Sequence, residues 1–70
     1  MSQYVEDLAP LLNDRVQQSK TRAEAEAALN ERGPVLIAAV ADLNGITFAA
    51  QKPRKETMVR AILDERFGKD

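Results

Sequence analysis

Residues 34–43 read PVLIAAVADL and run directly into Asn44-Gly45. Whether this stretch is a helix or the first strand of a hairpin decides the fold class. Asn-Gly is the strongest short hairpin signal, and residues 35–42 pairing with residues 46–51 would give an α+β domain with a hairpin at 35–51. Against that stand the alanines scattered from Ala38 to Ala50, which are poor strand residues, and Gly45, which equally suits a helix C-cap. Pro34 can occupy a first helical turn because its missing donor would be unpaired there anyway. The helical reading is therefore preferred. A run so apolar, with polar residues only at its end, predicts burial on most sides.

On the C-terminal side, a loop over residues 47–53 leads to Met58, Val59, Ile62, Leu63 and Phe67, one apolar stripe at helical spacing. A last helix is expected from about Pro53 to Phe67, stopped by Gly68. Its outer face carries Glu56, Thr57, Arg60 and Asp64.

On the N-terminal side, Thr21-Arg22-Ala23-Glu24 fits a capping box, with the Thr hydroxyl accepting from the Glu24 amide and the carboxylate reaching back to the Thr21 amide. It opens an Ala-rich helix that should run to Arg32 and end at Gly33-Pro34. The narrow stripe Ala25, Ala28, Leu29 and Arg32 suggests an outer helix. Before it, Tyr4, Val5, Leu8, Leu11, Leu12 and Val16 recur at steps of three and four, predicting a helix from Ser2 to Gln18. Pro10 interrupts that stripe, leaving either a kinked helix or a short turn followed by a helix. The expectation is a single all-α domain over residues 1–70. A helical pair at 1–32 would brace a helix-extension-helix pair at 34–67.

Composition narrows the function. The 70 residues hold 10 Lys+Arg against 11 Asp+Glu, a net charge of −1, and no His, Cys or Trp. A chain this short buries only about 60% of its unfolded surface, so a stability near ~3–5 kcal/mol is expected and little room is left for an enclosed active site. No disulfide or thiolate nucleophile is possible, and a zinc site would need carboxylates alone. The longest apolar run, Val35 to Ala41, is far short of the ~18 residues of a membrane span. No stretch reads as a signal peptide, and the chain is expected to be cytoplasmic. There is no Gly-rich phosphate loop, no His-based acid/base pair and no calcium loop. Ser2 and Ser19 lack a base, and Glu24 and Glu26 point apart on a helix. No enzymatic activity, cofactor or metal is expected.

Charge is uneven. Glu6, Asp7 and Asp14 stand without a basic residue in the first 14 positions, whereas Lys52, Arg54, Lys55 and Arg60 face only Glu56 across residues 52–60. Cations at the mouth of a helix oppose its dipole at about 0.3–1 kcal/mol each, yet with the first-turn amides they make a natural phosphate site. The competing reading is a solvated face in which Arg60 pairs with Glu56 and Asp64, one turn away on either side. Phe48 and Tyr4 are the nearest aromatics to the patch and both read as core. No stacking platform for a single strand is evident.

Residues 43–63, LNGITFAAQKPRKETMVRAIL, resemble the N-terminal helical module of transcription termination factor Rho and, more loosely, the SAP-like helix-extension-helix group. A helix ends in Gly45-Ile46, an extended connection follows, and Arg54-Lys55 opens a helix striped by Met58-Val59 and Ala61-Ile62-Leu63. The resemblance spans residues 35–67 and implies nucleic-acid binding, DNA or RNA, with Lys52, Arg54 and Lys55 near phosphates. Pro53 before the basic pair, and a first helix without any basic residue between Arg32 and Lys52, depart from the family pattern. The alternative is a protein-interaction or assembly module, a homodimer or accessory subunit. Its basis is a surplus of apolar residues: Leu8, Leu11, Leu12, Val16, Val35, Leu36, Ile37 and Val40.

Overall fold

The computed structural model describes residues 2–68, with side chains from residue 5 onward. Its four helices are α1 (Ser2–Gln18), α2 (Arg22–Asn30), α3 (Pro34–Leu43) and α4 (Lys55–Phe67). No strand occurs among the described residues, so the domain is all-α and residues 35–51 form no hairpin.

The physical reason lies at the end of α3. Gly45 adopts φ +70, a conformation costly for any residue with a Cβ. The Gly45 amide donates to the Asp42 carbonyl at 3.0 Å and the Ile46 amide to the Ala41 carbonyl at 3.0 Å. These two bonds form a Schellman motif, which satisfies the carbonyls a helix end would otherwise leave open. Asn-Gly here closes a helix, and the same left-handed glycine that would serve a hairpin serves a cap.

α1 runs unbroken through Pro10. The proline is exposed, so the Glu6 carbonyl that loses its partner lies on the solvent side. α2 starts as its capping residues dictate, with Thr21 Oγ1 accepting from the Glu24 amide at 3.1 Å. The Glu24 carboxylate reaches one residue further back than a standard capping box, accepting from the Lys20 amide at 3.0 Å. α4 begins at Lys55, two residues later than Pro53, because Arg54 is still extended at φ −69 and ψ 153 and acts as the N-cap.

α1 packs on α2 and α3, and α4 packs on α3 and α2. A single apolar cluster joins Leu12 and Val16 of α1, Ala25 and Leu29 of α2, Leu36, Ile37, Val40 and Ala41 of α3, and Met58, Val59, Ile62 and Leu63 of α4. α2 is therefore no outer helix despite its narrow stripe, since Ala25 and Leu29 are fully buried between two neighbours. Small side chains let it approach closely. α3 is buried along one face only, and Val35 and Leu43 at its two ends stay exposed.

Helix ends are tied by cations from other helices. Arg66 of α4 donates to the Gln17 and Ser19 carbonyls at the end of α1, at 3.1 and 3.4 Å. Such contacts satisfy open carbonyls and complement the negative end of the helix dipole. No helix among the described residues is long and apolar enough to cross a membrane.

Candidate nucleic-acid interface

The basic segment enters α4 through residues 52–54. Lys52 and Arg54 are exposed, and neither has a side-chain hydrogen bond or ion pair among the described residues. Because the N-cap is an arginine, no side chain caps the first turn of α4. The first intrahelical bond runs from the Met58 amide to the Arg54 carbonyl at 3.0 Å, which leaves the amides of Lys55, Glu56 and Thr57 pointing out of the helix mouth.

Lys55 is half-buried and turned elsewhere, its Nζ donating to the Asn30 carbonyl at the end of α2 at 3.2 Å. An ammonium carries three donors, so this bond fixes the side chain without exhausting it. Arg60 is exposed six residues from Arg54, about 1.7 turns and a rise of about 9 Å along α4. The two arginines, with Thr57 between them, line one side of an open groove of ≈ 650 Å³ whose other wall is Gly45 and Ile46. The structure thus brings Arg54 and Arg60 together, sets Lys52 on the connection beside them, and directs Lys55 to α2.

Arg60 does not pair along its helix. Asp64, the carboxylate one turn on, is held by Arg22 of α2 at 2.5 Å. Glu56 forms no ion pair with Arg60 among the described residues. Nothing in the sequence near Arg60 signals this, because the competing cation lies 42 residues away. Glu56, Asp64 and Glu65 also border the groove, so its field is mixed, with positive charge concentrated toward the mouth of α4.

Among the described residues no aromatic side chain lines the groove. Phe48 is half-buried against the core, and the Arg66 guanidinium lies 4.6 Å over the ring of Phe67. Tyr4 lies outside the described side chains. Among the described residues no group of three or more His, Cys, Asp or Glu is placed to hold a metal ion.

Comparison with known proteins adds nothing to this geometry: no family model, curated protein or solved structure matches the chain.

Proposed function

We propose that this chain is a small non-enzymatic nucleic-acid-binding module that contacts the phosphate backbone. Lys52, Arg54 and Arg60 make the contacts around the uncapped mouth of α4, and Lys55 flanks them. The observation that carries this reading is the engagement of Asp64 by Arg22, which leaves Arg60 without an ion pair among the described residues in the groove it shares with Arg54. Two guanidiniums without an ion pair among the described residues, and a row of free amides, are the donor set that phosphate oxygens accept from. The resemblance of residues 43–63 to the Rho N-terminal and SAP-like group supports the same role. Among the described residues no aromatic side chain borders the groove, which favours contact with the backbone over stacking on bases.

Three or four cations neutralise as many phosphates, so affinity falls with salt at a log–log slope of about −3. The test is an NMR titration of labelled protein with a mixed-sequence duplex and with a single strand, at low and then moderate salt. Salt-sensitive shifts clustered over residues 45–60 are expected. No perturbation of that segment by either ligand at low salt overturns the reading.

A second reading, assembly through an apolar surface, is favoured by Leu11, Val35 and Leu43, which are 63%, 68% and 54% exposed. Most of the apolar surplus seen in the sequence is accounted for, since Leu12, Val16, Leu36, Ile37 and Val40 are buried. Sedimentation equilibrium from micromolar to millimolar concentration separates the readings. A strict monomer removes self-assembly.

A further inference from the structure

The end of α3 holds a dipeptide whose own reactivity is separate from phosphate binding, although Gly45 also borders the groove. Asparagine is a thermolabile residue, and in Asn44-Gly45 the following residue has no side chain to block its own amide nitrogen. We infer that Asn44 is a site of spontaneous deamidation, held inert by the folded end of α3 and released whenever that end opens.

The chemistry needs only the chain and water. The Gly45 nitrogen attacks Cγ of Asn44, an N–Cγ bond forms, and the Cγ–Nδ2 bond breaks. The proton from the Gly45 amide leaves with the departing nitrogen as ammonia. The resulting five-membered imide then adds water across one of its two C–N bonds, giving aspartate or isoaspartate. Nothing is oxidised or reduced.

Three features of the fold oppose the first step. Asn44 sits at φ −94 and ψ 7, so the Gly45 nitrogen eclipses the backbone nitrogen of Asn44 and faces away from Cβ. Ring closure requires a large rotation of ψ, which would break both bonds of the Schellman motif, Gly45 to Asp42 and Ile46 to Ala41. The leaving amide is also pinned. Its Nδ2 donates to Asn13 Oδ1 at 3.0 Å and to the Val40 carbonyl at 2.8 Å, and its Oδ1 accepts from Gln17 Nε2 at 3.4 Å.

The same contacts make the product disruptive. A carboxylate at position 44 has no proton to donate, so it would face two acceptors, Asn13 Oδ1 and the Val40 carbonyl, at close range. Isoaspartate also inserts a methylene into the main chain where the cap requires regular spacing. The junction of α1 and α3 would not re-form around either product. Each opening of the α3 end thus risks a permanent record of itself.

The experiment compares the full chain in native, mildly alkaline buffer with the same chain in concentrated urea. Both are digested with trypsin and weighed. The fragment 33–54 holds Asn44 as its only asparagine, because the Lys52–Pro53 bond resists cleavage. The unfolded chain should gain one mass unit at Asn44 about tenfold faster than the native chain, or faster still, as expected when reaction requires local opening. Equal rates overturn the gating, and no gain in either sample overturns the reactivity. Asn13→Ala, shown by circular dichroism to keep its helicity, should deamidate severalfold faster than the native chain. An unchanged rate in that folded variant overturns the restraint by the amide network. Should Asn13→Ala fail to fold, Gln17→Ala at an exposed position asks the same question with the same two outcomes.

Discussion

Arg22 Nη2 lies 2.5 Å from Asp64 Oδ1, and Nη1 of the same guanidinium donates to the Gly68 carbonyl at 3.1 Å. One side chain from the start of α2 therefore holds both a carboxylate of α4 and the C-cap of that helix. The two side chains are 31% and 23% exposed, so the pair is partly shielded from water and from salt. The pair also decides which cation of α4 remains available.

Replacing Arg22 should have two effects. Arg22→Ala removes the ion pair and the carbonyl contact, lowering the unfolding free energy by about 1 kcal/mol in urea denaturation. It also frees Asp64 to pair with Arg60 one turn back, so binding of a duplex should weaken although Arg22 lies outside the basic connection. A double-mutant cycle with Asp64→Ala should return a coupling of ~0.5–1 kcal/mol.

Charge reversal at Lys52 and Arg54 should abolish binding without unfolding the chain. Both side chains are exposed and form no hydrogen bond or ion pair among the described residues. The double variant Lys52→Glu, Arg54→Glu should lose salt-dependent affinity while its melting temperature stays within about 5 °C of the parent. Unchanged affinity, read by NMR titration or fluorescence anisotropy, removes the patch from the account. Lys55→Ala differs, because it also breaks the contact with the Asn30 carbonyl and should cost roughly 0.5 kcal/mol of stability.

Two residues of α3 should respond very differently to truncation. Ile37 is fully buried, and Ile37→Ala should cost ~2–5 kcal/mol through lost burial and a residual cavity, comparable to the whole stability expected of so small a domain. Loss of the helical circular dichroism signal at room temperature is the expected result. Val35 is 68% exposed, and Val35→Ala should change the unfolding free energy by less than about 0.5 kcal/mol.

Glycine substitutions separate backbone strain from crowding. An added Cβ at Gly45 meets nothing within 4 Å, but φ is +70, so Gly45→Ala should cost about 1–2 kcal/mol from conformation alone. Gly33 is equally open and lies at φ −79, so Gly33→Ala should be nearly neutral. Thermal unfolding followed by circular dichroism distinguishes them directly.

The helices were legible because their signals are local. The stripe Met58, Val59, Ile62 and Leu63 is set by spacing along one helix, and all four residues are buried. Thr21 caps α2 through a bond three residues long, which is why the start of that helix is readable. The hairpin signal of Asn44-Gly45 is also local, but it is ambiguous. A left-handed glycine serves both structures, and the alanines of α3 tip the balance.

The candidate site was legible only in part. Lys52, Arg54, Lys55 and Arg60 stand out by charge, yet their partners do not. Lys55 bonds a carbonyl 25 residues away. Asp64 lies at the right spacing for Arg60 and is taken by Arg22 instead. Spacing along a helix offers a pairing, and a better-placed guanidinium from another helix displaces it.

The all-α class, the approximate ends of the four helices and the position of the basic segment were written in local signals, because helix periodicity, caps and charge density act over a few residues. Packing placed α2 between two neighbours, kept Val35, Leu11 and Leu43 uncovered, and left Arg60 without an ion pair among the described residues while engaging Lys55. Those outcomes depend on which helix faces which. Contacts between residues far apart in the chain, each worth about a kcal/mol, form only after the helices have packed.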